Sequence, residues 1–227
     1  YNEYKIQNFK KNNLSALQTK SYQEVSQNIN FSSYSTTLVH GVTGSGKTLI
    51  YFEIIKEALK KNKQVLVLLP EIALTKQIAE RFKDYFDAEP ALWHSSIVEK
   101  KKKNIWKGVS ENKIKLVLGA RSSIFLPFQN LKLIVIDEEH DSSYKQEEGV
   151  SYNARDMSIL RASIEKFPIL LVSATPSIES YYNSKNKKYF YVSLTERYKN
   201  ISLPNIEIVD LVNAPADKGT FISNQLI

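Results

Sequence analysis

This sequence predicts an α/β fold, a mostly parallel sheet with helices on both faces, and three observations predict it. Short Val/Ile/Leu-rich strands recur at Val65–Leu69, Lys115–Leu118, Leu133–Ile136 and Ile169–Val172. Strands apolar along their whole length are buried on both faces, as in a parallel sheet. Helical patterns lie between them: Leu74, Ile78, Phe82, Tyr85 and Phe86 share one face, and further helices are expected at roughly 98–109 and 154–164. Ahead of all these, the β-prone run Thr36–His40 enters a glycine-rich octapeptide. Tyr51, Ile54, Ile55, Ala58 and Leu59 then recur at i, i+3, i+4, i+7 and i+8, the apolar stripe of a helix. Alternation of this kind is a doubly wound sheet, which receives ligands at the carboxyl ends of its strands.

The octapeptide is Gly41-Val42-Thr43-Gly44-Ser45-Gly46-Lys47-Thr48, which matches G-x-x-x-x-G-K-[ST]. In such a P-loop, backbone N–H groups wrap the α- and β-phosphates of a nucleotide. The lysine reaches the β- and γ-phosphates and the hydroxyl ligates Mg²⁺. Glycine is required because the backbone approaches the phosphates in conformations a Cβ forbids. Strand, glycine loop and helix in that order is the required setting, and the helix N-terminus adds its own attraction for phosphate. All eight residues are therefore candidate ATP contacts, with Thr48 also a Mg²⁺ ligand.

A second chemical element follows a later strand: Leu133-Ile134-Val135-Ile136-Asp137-Glu138-Glu139-His140. It places two carboxylates at the sheet edge where the P-loop opens. Asp137 is expected to hold Mg²⁺, partly through water, and Glu138 to orient and deprotonate the attacking water. Lys47, Asp137 and Glu138 form the candidate catalytic set.

Composition bounds the rest. A chain of 227 residues with 42% hydrophobic content supports a full core, enough for one large domain or one domain with part of another. No apolar run approaches the ~18 residues of a membrane span. The opening Tyr-Asn-Glu-Tyr-Lys-Ile lacks the form of a signal peptide, so a cytoplasmic location and no membrane partner are expected. There is no cysteine, which excludes disulfides and thiolate catalysis here, and zinc is not expected. Net charge is 31 − 24 = +7 with a pI near 9.3, which suits a polyanionic partner. The runs 60–63 and 100–103 are the densest basic patches; on helices such runs are ordinarily solvated faces. Trp93 and Trp106 are expected in the core.

The two blocks and their spacing resemble the motor of a superfamily 2 helicase, a P-loop NTPase with a RecA-like domain, whose motif II reads D-E-x-H. Ser173-Ala174-Thr175 follows the next strand at the position of motif III, which couples nucleotide state to nucleic acid. Leu69-Pro70-Glu71-Ile72-Ala73-Leu74-Thr75 looks like motif Ia, and Gly119-Ala120-Arg121-Ser122 like the G-x-R-S motif that touches the DNA backbone. The phrases HGVTGSGKT, LLPEIALT, WHS, GARSSIFLPF, DEEHDSSYKQ, ARD and SATPSIES together are very similar to the replication-restart branch of that superfamily, over about residues 14–210. That branch comprises bacterial 3′→5′ DNA helicases.

The resemblance carries further expectations. Leu14-Ser15-Ala16-Leu17-Gln18 looks like the element whose glutamine reads the adenine edge. Residues 141–152 resemble the aromatic-rich loop that couples single-stranded DNA to the ATP site, with Tyr144 and Tyr152 as stacking planes and Lys145 as a phosphate contact. With Arg121, Ser122 and Arg155 these make the implied DNA-binding set. The branch favours an arginine before the second tyrosine and a histidine after it; this chain has Ser151 and Asn153, so one basic contact is lost. Implied partners are forked or single-stranded DNA, other primosome components and single-strand-binding proteins; implied cofactors are ATP and Mg²⁺. Residues 1–30 read as a lead-in with the glutamine helix, 31–195 as the first RecA-like domain, and 196–227 as a linker entering a truncated second domain. In helicase motors the arginine finger comes from that second domain, so the 227 residues alone are expected to bind ATP, bind DNA weakly and hydrolyse barely above background. Two other readings stay open: a different superfamily 2 translocase on DNA or RNA, or a nucleotide-gated binding module without turnover.

Overall fold

A computed structural model of the chain describes residues 9–10 and 14–195. The tail expected at 196–227 and most of the N-terminal lead-in lie outside the described residues. In chain order the elements are α1 (Ala16–Gln27), β1 (Ser35–Gly41), α2 (Lys47–Lys60), β2 (Gln64–Leu68), α3 (Lys76–Phe86), β3 (Ala91–Trp93), α4 (Glu99–Ser110), β4 (Leu116–Gly119), β5 (Leu131–Asp137), β6 (Lys145–Gln146), β7 (Tyr152–Asn153), α5 (Ala154–Glu165), β8 (Pro168–Ser173), α6 (Ile178–Lys185) and β9 (Phe190–Leu194). Short 3₁₀ turns punctuate them at Glu71–Ala73, Arg121–Phe125 and Ser142–Tyr144.

Seven strands form one parallel sheet in the order β3-β4-β2-β5-β8-β1-β9, and β6 and β7 make a separate antiparallel hairpin. Every residue of β2, β4 and β8 is buried, as their unbroken apolar runs require. Their side chains alternate between two cores. Val65, Val67, Leu133 and Val135 face the layer of α2 and α3, whereas Leu66, Leu68, Ile134 and Ile136 face that of α4 and α5. On the first side Phe52 packs against Phe82, Tyr85 and Phe86 at centroid separations of 4.6, 4.7 and 5.4 Å. Burying each such ring stabilises by about 1.5–3 kcal/mol, which fixes α3 against α2.

All four expected central strands and the expected helices form, with boundary shifts that have local causes. Leu74 falls outside α3, because the Thr75 hydroxyl accepts the N–H of Ile78 and starts the helix there. Two elements gave little sequence signal: β3 is three residues long, and α6 is short and weakly amphipathic. Trp93 is half-buried and donates Nε1–H to Ser122 Oγ at 3.1 Å, but Trp106 lies on the solvent face of α4 and is 53% exposed, contrary to expectation. The basic run 100–103 occupies the outer face of α4 as a solvated patch, with Lys102 paired to Glu99. No helix among the described residues is long and apolar enough to cross a membrane.

Topology sets the site. β5, β8 and β1 are neighbours, with Asp137 in register with Val172 and His40 with Ser173. The glycine loop, the start of Ser173-Ala174-Thr175 and the Asp137–Glu138 pair therefore leave the sheet side by side, at its carboxyl edge.

Candidate active site

The loop between β1 and α2 adopts a conformation that only its glycines permit. Gly44 and Gly46 have φ of +81° and +87°. A Cβ on Gly46 would sit 2.2 Å from Gln18 Nε2, and one on Gly41 2.6 Å from Ser45 Oγ and 2.9 Å from Lys47 Cγ. No side chain caps α2, so its first N–H groups have no side-chain acceptor at the helix start. Lys47 is almost wholly buried and its Nζ donates to the carbonyl of Gly41 at 2.5 Å. Burial pulls its pKa below the usual lysine value, and the charges of Glu138 and Asp137 oppose that shift.

Across the cleft, Glu138 holds a φ of +48°, a left-handed backbone that a non-glycine residue adopts at a cost of about 1–2 kcal/mol. The turn is held by Glu138 N–H to Asp137 Oδ1 at 3.1 Å, Glu139 N–H to the Val172 carbonyl at 3.1 Å and Asp141 N–H to the Glu138 carbonyl at 2.8 Å. It brings Glu138 to the cleft wall beside Asp137, where the carboxyl end of β5 already stands. Asp137 accepts the hydroxyl of the buried Tyr51 at 3.1 Å. Burial, followed by the neighbouring charge of Glu138, pushes its pKa up to about 6. Two adjacent carboxylates, one of them this buried, make a site that a divalent cation would relieve. The lining of the cleft, about 380 Å³, is Gln18, Thr43, Gly44, Gly46, Lys47, Thr48, Leu49, Arg81, Asp137 and Glu138. Phosphate donors on one wall and hard oxygen ligands on the other fit a nucleoside triphosphate with Mg²⁺.

Four of the expected site residues have side chains that are engaged or enclosed in this structure. Gln18 reaches the cleft but its amide is engaged: Oε1 accepts the N–H of Ser15 at 3.0 Å and Nε2 donates to the Ser45 carbonyl at 3.1 Å. The side chain holds α1 onto the P-loop instead of standing open to a base. Ser45 turns its hydroxyl inward, where it is buried without a hydrogen-bond partner among the described residues, so only its backbone can serve the cradle. Tyr144 is 1% exposed, and its hydroxyl donates to the carbonyls of Leu68, at 3.1 Å, and Asp137, at 2.5 Å. A ring so enclosed stacks on no base. Arg155 is likewise committed, to Glu139 Oε2 at 3.2 Å and the Ser177 hydroxyl at 2.8 Å, with its side chain 12% exposed.

Residues without an assigned role explain these changes. The Glu139 side chain is fully buried; it accepts from Ser177 N, Ser177 Oγ and Ser180 Oγ and so anchors the start of α6 as well as Arg155. His140 contacts Ser173 Oγ through Nδ1 at 2.8 Å and Thr175 Oγ1 through Nε2 at 3.3 Å. The carbonyl of Ala174 accepts from His40 Nε2 at 3.2 Å, which leaves His40 Nδ1 to take the Tyr191 hydroxyl. The 173–175 segment is thus tied to the acidic block and to the strand that feeds the P-loop. The sequence presents His140 next to the acids, yet its partners depend on β8 lying between β5 and β1.

The other expected contacts gather beyond β4. Arg121 donates to the carbonyls of Ser143 and Lys145, which ties the Arg121–Phe125 turn to the β6 hairpin. Gly119 makes that turn possible, because a Cβ there would lie 2.2 Å from Ser123 Oγ. Lys145 is exposed beside Glu147 at 2.7 Å. Tyr152 packs edge-to-face on Phe125 at 5.1 Å, and Phe125 is 57% exposed, an aromatic surface the motifs gave no reason to single out.

Glycine cradle, buried lysine, paired carboxylates and a linked third segment on a parallel sheet define a P-loop NTPase of helicase type. The chain belongs to the DEAD/DEAH box helicase family, whose model matches residues 15–183. Within that family it is similar to the replication restart protein PriA of Rickettsia prowazekii, with 56% identity over 191 residues, 84% of this chain and 30% of that protein. To the replication restart protein PriA of Bacillus subtilis it is 41% identical over 194 residues, 86% of this chain and 24% of that protein. The chain spans less than a third of these relatives. Its fold is shared with RecG bound to a three-way DNA junction, at a TM-score of 0.63 and 21% identity over 85% of this chain and 25% of that one. It is also shared with the Hef helicase domain of Pyrococcus furiosus, at a TM-score of 0.54 and 20% identity over 81% of this chain and 38% of that one.

Proposed function

We propose that this chain is the nucleotide-binding first motor domain, over about residues 31–195, of a 3′→5′ DNA helicase that acts in replication restart, DNA repair and recombination. The observation that carries the reading is the convergence of Lys47, Asp137 and Glu138 on one cleft, with His140 and Ser173 linked beside it. Its supports outside the structure are the similarity to the replication restart proteins and the net charge of +7. The Gly41–Thr48 backbone holds the phosphates, and Lys47 exchanges its carbonyl contacts for phosphate oxygens. Thr48 and Asp137 would hold Mg²⁺, whose charge would offset that of the nucleotide phosphates. Glu138 orients the attacking water and takes its proton. The His140–Ser173–Thr175 bonds report the state of the carboxylates to the neighbouring segments.

DNA passes over the Arg121, Ser122, Lys145 and Tyr152 surface, with Phe125 adding a second ring. The working location is the cytoplasm, and primosome components and single-strand-binding proteins are the partners. The test uses the full-length protein that carries this chain. Forked duplexes with either a 3′ or a 5′ tail, and an RNA duplex, are offered with ATP and Mg²⁺. Displacement of the 3′-tailed DNA fork is expected. Preference for RNA would point to another translocase, and nucleotide binding without turnover to a gated module.

A further inference from the structure

α3 brings a cation to the phosphate cleft. Arg81 lines the same cleft as Lys47, Thr48, Asp137 and Glu138. It also lines a second cleft of about 370 Å³ between α2 and α3, walled by Leu49, Gln77, Glu80 and Asp84 among others, so it stands where the two meet. Its guanidinium carbon lies 5.7 Å from the centre of the Phe52 ring. That ring is itself fixed by Phe82, Tyr85 and Phe86, so the arginine rests on a rigid platform.

The other described arginines are spent. Arg121 bonds the Lys145 carbonyl, Arg155 the Glu139 carboxylate and Arg161 the Ile124 carbonyl. Arg81 has no hydrogen-bond or ion-pair partner among the described residues; the Phe52 face is its contact. A planar guanidinium can stack on a ring and still present its donors in plane, which an ammonium does less well.

We propose that Arg81 is a further nucleotide-binding residue, whose guanidinium, resting on Phe52, closes onto the phosphate chain of the nucleotide held by the Gly41–Thr48 loop. It gives the cleft a second cationic anchor, opposite Lys47. The proposal rests on the reading of this cleft as an ATP site. Leu49 and Arg81 both line each of the two clefts.

The test measures ADP and GDP binding by calorimetry in the full-length protein, as wild type, Arg81→Gln and Arg81→Lys, with thermal unfolding of each free protein. Arg81→Gln should weaken both nucleotides by the same factor, about tenfold for a charge-assisted contact. Arg81→Lys should recover part of that loss. A loss confined to ADP would place Arg81 on the base and overturn the proposal. So would unchanged binding by Arg81→Gln, or a loss accounted for by a lower melting temperature. If the wild type bound neither nucleotide, the ATP-site reading would itself fail; tight wild-type binding matched by Arg81→Gln would refute the Arg81 contact alone.

Discussion

The glycine loop with its facing Asp137–Glu138 pair, and the surface built by the Arg121–Phe125 turn and residues 143–155, both follow the carboxyl ends of parallel strands and both carry polar side chains. They differ in where those side chains are spent. At the loop, Lys47, Asp137 and Glu138 all reach one cleft. In the second region Tyr144 and Arg155 are enclosed, and what faces outward is Lys145 and Phe125, with Tyr152 half-buried beside Phe125. The loop's function is written in backbone geometry over eight consecutive residues, and glycine leaves that backbone few alternatives. The second region's function depends on partners far along the chain, such as Leu68 for Tyr144 and Ser177 for Arg155. A motif specifies residue types at a spacing; it does not specify which way a tyrosine ring turns.

The largest effect expected at the loop is chemical. Glu138→Gln keeps the shape of the side chain and removes the base, so ATP hydrolysis by the full-length protein should fall by about 10²–10⁴-fold while nucleotide affinity is retained. Single-turnover hydrolysis and calorimetry check the two halves. Hydrolysis at the wild-type rate would show that the left-handed turn at Glu138 serves the fold and not the reaction.

In the second region the largest effect is on stability. Arg155→Ala leaves the buried Glu139 carboxylate without its cation, at a cost of about 3–5 kcal/mol. The double variant Arg155→Ala/Glu139→Gln should recover much of that loss, because no buried charge is then stranded. Chemical denaturation of the four proteins gives the cycle. A melting profile unchanged by Arg155→Ala, with weakened DNA binding, would restore Arg155 to the DNA track and blur the contrast between the two regions.

Lys47→Ala should cost about 1.5–3 kcal/mol in ATP binding, or roughly ten- to a hundred-fold in affinity. The free protein should lose little stability, since burial already disfavours the charged lysine. Equal affinities for wild type and variant would mean that Lys47 keeps its bonds to the Gly41 and Val42 carbonyls when nucleotide binds.

How much was legible follows the same division. The α/β alternation, the four central strands and the nucleotide cradle could be read directly, because periodicity and glycine content are local properties of the chain. Gln18 was less legible: it lines the cleft, and the capping box with Ser15 and the bond to Ser45 engage the amide expected to read adenine. Arg81 carried no signal, because it belongs to an amphipathic helix whose polar face looks like ordinary solvated surface. Only the packing of Phe52 beneath it sets it apart. Glu139 was visible as a third acid in a row, but its role depends on α6 starting at Ser177, a contact made across 38 positions.

The smallest effect sharpens the contrast most, because it separates two tyrosines of one loop. Tyr144→Phe removes a hydroxyl that donates to the Leu68 and Asp137 carbonyls, a loss of about 0.5–1.5 kcal/mol in stability, and should leave single-stranded DNA affinity unchanged. Tyr152→Ala should differ in its effect on DNA. Its half-buried ring meets Phe125 edge-to-face and also packs against the core, so some stability should be lost, but DNA affinity at fixed salt should drop as well, by the ~1–3 kcal/mol typical of one lost base–aromatic contact. Fluorescence anisotropy with a labelled single strand, beside thermal unfolding of both variants, reads the two quantities. If Tyr144→Phe weakened DNA binding with no change in melting, the buried hydroxyl would be transmitting to the DNA surface from beneath β5. Tyr144 would then belong with His140 and Ser173 among the groups that link the carboxylates to the rest of the edge.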